Sequence, residues 1–355
     1  MGQTEVVSDA SSDNRNAQIA ATGDGLIGAW DGLVSGHRRI LVREKRGGTW
    51  LRTEIVDSEP VGENSIQSLC VDSAGNPHLV WLSKVGEKFR ITYVSRIAGI
   101  WSRPVVVNND QPGGENCEEV SIQLSPEDRP WIIWQSGNGN RYSIQAATPD
   151  SQTGLFVIDR LNTDVLNYNL YPVLLFTPEP TVLWYSASNA DFVLVGKRFR
   201  GAWEIFPIEN LDNLPVSRCL PALIRAPKGN LAGFWFDELD AADRVFVGLQ
   251  ESETRGSGVP LDNEADSSFG SICATAAGDR MVATWTSEQQ GVGQQIIAAV
   301  GDAPPFELHI VSGSDSAGYC GAPKVAGNVR KAAVIWNSLA GEGGDGRVYC
   351  REISF

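Results

Sequence analysis

Hydrophobic residues in this chain form short runs, rich in β-branched and aromatic side chains, that are separated by turn residues. Between Ser65 and Asn109 four such runs follow one another, and the turn Ser73-Ala74-Gly75-Asn76 separates the first two. We predict strands over residues 68–72, 77–82, 89–94 and 101–107. Short strands joined by Gly, Asn, Asp and Pro are typical of an antiparallel meander.

The same unit recurs along the chain, and each copy has one tryptophan at the end of a hydrophobic run. Successive tryptophans of this series are 51, 53, 50, 51, 50 and 51 residues apart; they are Trp30, Trp81, Trp134, Trp184, Trp235, Trp285 and Trp336. A four-stranded unit with such a period is the signature of a β-propeller. We therefore predict an all-β fold, a seven-bladed β-propeller of four-stranded antiparallel blades in a single domain, residues 1–355. The tryptophans are interpreted as core residues between blades.

The two ends of the chain complement each other. The last unit stops after its third strand, at residues 347–355, whereas residues 3–9 resemble residues 52–58, the outer strand of the first unit. We predict that the N-terminal strand pairs with the last blade and closes it. Such pairing covers strand edges that would otherwise be exposed.

Composition narrows the classes of partner. The formal net charge is −14, which argues against nucleic acid and anionic membranes, because both require a basic surface. There is no apolar run long enough to span a membrane, and residues 1–16 contain no apolar signal core. A secreted protein whose signal has been removed and a cytoplasmic protein both fit. We expect a small-molecule or saccharide ligand, and a monomer is allowed.

Three turns between third and fourth strands share glycine and tryptophan; they are Arg46-Gly47-Gly48-Thr49-Trp50, Ile97-Ala98-Gly99-Ile100-Trp101 and Arg200-Gly201-Ala202-Trp203. They resemble degenerate copies of the Asp-box (BNR) turn of sialidase-like propellers, without its defining Asp. The resemblance implies the architecture. It does not imply sialidase activity, because Phe89-Arg90-Ile91-Thr92 lacks the Pro of the sialidase Phe/Tyr-Arg-Ile-Pro motif and lies in a third strand.

The strand entrances, meaning the residues at the start of each first strand, are the candidate site. In a propeller these residues share one face with the loops between second and third strands and converge on the axis as a funnel. They differ from unit to unit here, so the repeat itself does not require them. We therefore predict one asymmetric axial site.

The chemistry of the entrances suggests roles. Arginine binds carboxylate or sulfate groups bidentately, tyrosine stacks on rings or donates protons, and paired carboxylates can raise one pKa. Because neighbours on a strand point to opposite sides, at most one of the two adjacent glutamates should face the funnel. The candidate catalytic residues are Glu118, Glu119, Tyr168 and Tyr319. The candidate substrate-binding residues are Asn14, Arg15, Tyr171, Arg218, Cys219 and Cys320.

No cofactor is predicted. The three histidines, His37, His78 and His309, are scattered and fit neither a Cys–His mechanism nor a histidine-ligated metal. The six cysteines lack zinc spacing. An acidic loop with Asp237, Asp240 and Asp243 could hold Ca²⁺, but it lacks EF-hand spacing, and a solvated loop is the preferred interpretation.

These observations predict a propeller with a single axial site that binds or processes a glycan or other small molecule. For a catalytic protein, the expected chemistry is that of a lyase or hydrolase acting on an acidic saccharide. One alternative is a non-catalytic lectin-like or protein-interaction propeller, and another is a small-molecule cyclase. A multivalent lectin should repeat its site residues from blade to blade, and the entrances here do not repeat.

Overall fold

The structure is a computed structural model that describes residues 1–8, 13–57, 63–85, 88–108, 116–138, 141–162, 168–176, 179–188, 191–199, 203–207, 222–239, 242–249, 259–261, 267–289, 293–312, 319–339 and 346–355. All regular elements in these ranges are strands, so the all-β prediction is confirmed. The described residues contain no helix that is long and apolar enough to cross a membrane.

The described strands group into seven antiparallel sheets, taken here in chain order. The first contains β2 (Arg15–Ala21), β3 (Leu26–Val34), β4 (His37–Arg46), β5 (Thr49–Trp50) and β6 (Glu54–Ile55). The second contains β7 (Asn64–Val71), β8 (Pro77–Val85), β9 (Lys88–Ile97), β10 (Ile100–Trp101) and β11 (Val105–Val106). The third contains β12 (Asn116–Leu124), β13 (Pro130–Asn138), β14 (Arg141–Pro149) and β15 (Phe156–Arg160).

The remaining four sheets are also described in chain order. The fourth contains β16 (Tyr168–Phe176), β17 (Pro180–Ser188), β18 (Asp191–Phe199) and β19 (Trp203–Pro207). The fifth contains β20 (Ala222–Arg225), β21 (Leu231–Leu239), β22 (Ala242–Leu249) and β23 (Val259–Pro260). The sixth contains β24 (Ser267–Ala277), β25 (Arg280–Gln289), β26 (Gly293–Gly301) and β27 (Glu307–Ile310). The seventh contains β28 (Tyr319–Cys320), β29 (Lys324–Gly327), β30 (Lys331–Leu339), β31 (Arg347–Ser354) and β1 (Glu5–Val6).

The periodic tryptophans lie on the second strand of each sheet, if β28 and β29, which both pair with β30, are counted as one first strand, and none is more than 4% exposed. Trp336 packs in one core cluster with Val282 of the preceding sheet. Trp134 likewise packs with Val80. The interpretation of this series as core between consecutive sheets is confirmed.

Outer strands end in a motif that the tryptophan series does not reveal: a buried aliphatic residue followed by a polar one. Its described copies are Val7-Ser8, Val56-Asp57, Val107-Asn108, Leu161-Asn162 and Val311-Ser312. The N–H of the aliphatic residue donates to a carbonyl of the third strand at 2.8–2.9 Å. The following polar side chain accepts the N–H of that same third-strand residue at 2.7–3.1 Å. Each copy therefore fastens the outer strand to its sheet at one point.

The N-terminal strand pairs as predicted, although it is short. In β1, Glu5 lies opposite Cys350 and Val6 opposite Tyr349 of β31. The buried ammonium of Lys45 holds this edge, with its Nζ 2.7 Å from Glu5 and 2.9 Å from Glu352.

The chain divides into two compact units, residues 1–36, 41–54 and 213–355 in the first and residues 37–40 and 55–212 in the second. The single-domain prediction is not tested by this division. Five cysteines are free thiols, Cys70, Cys117, Cys273, Cys320 and Cys350. Cys219 lies outside the described residues.

Candidate functional site

A bulge interrupts the first strand of several sheets close to the strand entrance. The register shifts between Arg15 and Gln18, between Glu118 and Ser121, and between Leu170 and Val173. A residue with positive φ follows the start of each shift; these residues are Asn16 at 54°, Glu119 at 51° and Tyr171 at 56°. Left-handed backbone costs a residue with a side chain about 1–2 kcal/mol, and such strain is concentrated at functional sites.

The bulge changes what strand alternation predicts for the paired glutamates. Glu118 is half-buried and lies opposite Gln135 of β13, whereas Glu119 sits at the bulge with an exposed side chain. The left-handed backbone at Glu119 breaks the simple alternation on which the prediction relied.

In the second unit, one buried amide connects two predicted site residues. Gln135 is 3% exposed, and its Nε2 donates to Oε2 of Glu118 at 3.1 Å. Its Oε1 accepts the backbone N–H of Tyr171 at 2.9 Å. The structure therefore brings together Glu118 and Tyr171, which are on the first strands of consecutive sheets.

Tyr142 joins this pair and was not among the predicted site residues. It lies at the start of β14, opposite Gly137. A Cβ at Gly137 would overlap the carbonyl oxygen of Arg141 and lie 2.8 Å from a ring carbon of Tyr142. Because glycine leaves that space free, the ring can lie against the backbone of β13.

The protonation of Tyr142 follows from its surroundings. Burial raises the pKa of Tyr142, and the negative charges of Glu118 and Tyr171 raise it further. A phenol whose anion is disfavoured stays protonated at neutral pH. Tyr142 is therefore a hydrogen-bond donor beside a carboxylate that accepts.

A second buried amide supports the backbone of Tyr142. Asn169 is 2% exposed, and its Nδ2 donates to the carbonyl oxygen of Tyr142 at 3.1 Å. Its Oδ1 accepts the indole N–H of Trp184 at 3.0 Å. The site is thereby tied to the tryptophan core.

Glu118, Tyr142 and Tyr171, all half-buried, combine an acceptor, a donor and two aromatic rings. A carboxylate and a protonated phenol are a base and an acid for proton transfer. The rings offer flat apolar faces to a ligand. We call this set the Glu118 patch.

Arg15 lies in the first of the two compact units, where it is exposed and forms an ion pair with Asp13. Its Nε lies 2.8 Å from Oδ1 of Asp13, and 59% of its side chain is accessible. Its neighbour Asn16 donates to Oδ1 of the fully buried Asp31 at 2.8 Å. Arg15 is accessible to an anionic ligand, and its binding role stays a prediction.

Two predicted binding residues are buried and form hydrogen bonds with distant parts of the chain. Asn14 is 0% exposed and donates to the carbonyl oxygen of Gly346 at 2.7 Å. Cys320 is 2% exposed, and its backbone N–H donates to Oε1 of Gln294 at 3.0 Å. These positions favour a structural role over ligand contact.

The other predicted site residues are not defined by the structure. Arg218, Cys219 and Asp240 lie outside the described residues. For Tyr168, Tyr319, Asp237 and Asp243 only the strand position is described. Within the described ranges, no group of three or more His, Cys, Asp or Glu could hold a metal. Convergence of the entrances on one axis stays a prediction.

Sequence reasoning missed Gln135, Gly137 and Tyr142 because it searched only the entrances of first strands. One signal was available. Gln135 directly follows the periodic Trp134, where the other units carry Asp31, Leu82, Tyr185, Phe236, Thr286 and Asn337. Such variation beside an invariant core position marks a residue that the repeat does not require.

Comparison with known proteins bears on the fold. No family model matches the chain, and no curated protein matches it. A polysaccharide lyase, Uly1, is similar in structure, with a TM-score of 0.62 at 11% identity over 95% of this chain and 89% of its own. A puromycin hydrolase has a TM-score of 0.59 at 15% identity, over 95% of this chain and 54% of its own. A Trypanosoma rangeli sialidase has a TM-score of 0.54 at 10% identity, over 96% of this chain and 55% of its own.

At these identities the likeness concerns the fold alone. The chain has an all-β propeller fold, as the tryptophan period predicted. Assignment to the Asp-box group in particular stays a prediction.

Proposed function

We propose that this protein binds a saccharide at the Glu118 patch and acts on it as a lyase or hydrolase. The observation that carries the proposal is the placement of one carboxylate and two phenols together, on a buried amide and beside a strained bulge. Sugars present apolar ring faces together with hydroxyl groups. Aromatic rings fit the ring faces, and a carboxylate and a phenol fit the hydroxyls.

For an acidic saccharide, the proposed reaction is a β-elimination. The carboxylate of Glu118 takes the proton from the carbon next to the sugar's carboxyl group. The electron pair forms a carbon–carbon double bond as the bond to the leaving sugar oxygen breaks, and Tyr142 donates its proton to that oxygen. Both proton transfers are general acid–base steps. The proton gained by Glu118 is later lost to water, and Tyr142 is reprotonated.

Arginine pairs with carboxylates, and the predicted binding residues Arg15 and Arg218 are the reason that an acidic saccharide is preferred. With a net charge of −14, the chain needs such local cations to attract an anion. If the substrate is neutral, the same acid and base would act with water in hydrolysis. The lyase and the sialidase among the similar structures are named for saccharide chemistry, whereas the puromycin hydrolase is not.

The proposal is tested with a panel of neutral and acidic oligosaccharides. Calorimetry measures binding, absorbance of unsaturated products measures elimination, and new reducing ends measure hydrolysis. We expect Glu118→Gln and Tyr142→Phe each to lower turnover about 100-fold or more, because each removes a proton-transfer group. Binding should weaken by about tenfold at most.

Matched controls separate the patch from general effects. Glu127→Gln changes an exposed glutamate on the turn between β12 and β13, and Tyr349→Phe changes a tyrosine stacked on Trp336. Neither should alter binding or turnover. Saccharide binding without product would favour the non-catalytic alternative. If Glu118→Gln and Tyr142→Phe leave every measured binding and turnover unchanged, the proposed site is wrong.

A further inference from the structure

Gln135 has a second role beyond joining two sheets. We propose that Gln135 is a positioning residue that orients the Glu118 carboxylate toward the ligand and sets this orientation from the Tyr171 bulge. The inference rests on the proposed function of the Glu118 patch.

The geometry leaves Gln135 little freedom. Its side chain is almost fully buried, and both ends of its amide are engaged, Nε2 with Glu118 and Oε1 with the N–H of Tyr171. Because the acceptor end is bound to backbone, the donor end has a fixed direction. A carboxylate held by a fixed donor keeps one oxygen in place and leaves the other for a ligand.

The corresponding residue of the seventh sheet, Asn337, provides a comparison. Asn337 also directly follows its tryptophan, and its Oδ1 accepts the backbone N–H of Ala17 at 2.8 Å. Its Nδ2 donates to the backbone carbonyl of Asn14 at 2.9 Å. Both ends of Asn337 thus bind backbone.

Like Asn337, Gln135 accepts a backbone N–H of the next sheet, but one position earlier, at Tyr171, because the position that corresponds to Ala17 is Pro172 and has no N–H. Its donor is directed to an ionisable side chain, Glu118, instead of a backbone carbonyl. The glutamine side chain is one methylene longer, which gives it the reach for both partners. The feature that distinguishes Gln135 from Asn337 is therefore the partner of its donor, the Glu118 carboxylate.

Gln135→Glu tests this with little change in shape. The introduced carboxyl can still accept the N–H of Tyr171, but it donates to Glu118 only while one proton is shared between the two acids. Once both acids ionise, they repel. The proton that the two acids share should be lost as pH rises from about 5 to 8, whereas a carboxylate of ordinary pKa is already ionised in this range. We therefore expect saccharide binding and turnover in Gln135→Glu to fall at least tenfold over the same range.

The exchanged pair, Glu118→Gln with Gln135→Glu, is the matched control. It restores an amide–carboxylate hydrogen bond with the partners reversed, so the melting temperature should recover while turnover stays about 100-fold low. Turnover stays low in the exchanged pair whatever the role of Gln135, because the base at position 118 is missing, so its melting temperature reports whether the side-chain contact has been restored. Gln135→Met loses both contacts, and its melting temperature reports on their combined contribution to stability.

A second readout needs no saccharide. Among the described residues, the titratable groups that bear on the phenol of Tyr142 are Glu118 and Tyr171. Its tyrosinate absorbance is isolated by subtracting Tyr142→Phe. Glu118→Gln should move this titration to lower pH, and Gln135→Glu should move it to higher pH.

The two proposals fail differently. If no saccharide binds, the tyrosinate titration still decides whether Gln135 governs the charge near Tyr142. If Gln135→Glu has the tyrosinate titration of the unaltered protein, the inference is overturned. It is also overturned if saccharide binds and Gln135→Glu leaves the pH profile unchanged.

Discussion

Ser8 Oγ accepts the backbone N–H of Val348 at 3.0 Å, a contact that spans 340 positions of sequence. The N–H of Val7 donates to the carbonyl of the same residue at 2.8 Å. This is the outer-strand motif of the other sheets, assembled here from both ends of the chain.

Removing the Ser8 hydroxyl should therefore weaken the last sheet. Ser8→Ala leaves a buried N–H without its acceptor, and we expect the free energy of unfolding to fall by about 1–2 kcal/mol. Deleting residues 1–8 should cost more, because burial of Val7 is lost as well. Urea denaturation measures both effects, with Ser151→Ala on an exposed turn as the control. A deletion variant with an unchanged melting temperature would refute the importance of this closure.

The ion cluster at Lys45 should make stability depend on pH. Burial by itself raises the pKa of Glu352, but the hydrogen bonds and the positive charges of Lys331 and Lys45 together hold this pKa below its usual value. A carboxylate of this kind stabilises the fold above its unfolded pKa. That contribution is lost as pH falls through the lowered folded pKa.

Lys45→Met should accordingly be destabilising at neutral pH and much less so in acid. We expect about 2 kcal/mol at pH 7, which is less than for a fully buried pair because Glu5 is partly exposed. The difference from the unaltered protein should shrink below about pH 4, where the carboxyl groups become protonated. Lys228→Met, at an exposed lysine 3.7 Å from Asp302, should change little. Thermal melts from pH 3 to 8 provide the comparison, and a pH-independent difference would contradict the argument.

Gly137→Ala should damage the candidate site through sterics alone. Its Cβ would overlap the Arg141 carbonyl and approach the ring of Tyr142, so we expect a loss of about 1–3 kcal/mol together with weaker ligand binding. Gly233→Ala is the matched control, since its Cβ would meet only a side-chain carbon of Leu223 at 3.7 Å. Equal melting temperatures for the two variants would show that β13 shifts to admit the methyl group.

Cys117→Asn should stabilise the third sheet. Within the part of the chain that the structure describes, the buried indole N–H of Trp134 has no hydrogen-bond partner. In the next sheet, Asn169 occupies the place of Cys117 and accepts the indole N–H of Trp184. Supplying an acceptor should add about 0.5–1.5 kcal/mol. Cys117→Ser, whose hydroxyl is shorter, should gain less, and a lower melting temperature for Cys117→Asn would show that the site lacks room.

The sequence alone was sufficient for the repeat, because the tryptophans serve a core that every unit must build. It also identified the N-terminal partner of β31, since residues 3–9 and 52–58 are alike. The predicted strands were too short: β9 covers Lys88–Ile97, whereas 89–94 was predicted. Backbone pairing extended β9 through polar residues that carry no hydrophobic signal.

The site was only partly predictable, for a physical reason. Glu118 and Tyr171 stood out as residues that the repeat does not require. Their connection through Gln135 depends on side-chain reach across two sheets, which spacing does not encode. The bulge at Glu119 could not be predicted either, because glutamate is not one of the residues that usually adopt a left-handed backbone conformation.

The bulges at Asn16, Glu119 and Tyr171 give the scaffold an adaptable feature. The same kind of kink carries an amide in the first sheet, a carboxylate in the third and a phenol in the fourth, while the second strand of each sheet keeps its tryptophan. The side chains at these kinks can therefore be substituted without changing the residues of the core. An engineer who seeks a new specificity would diversify these short segments and leave the periodic core unchanged.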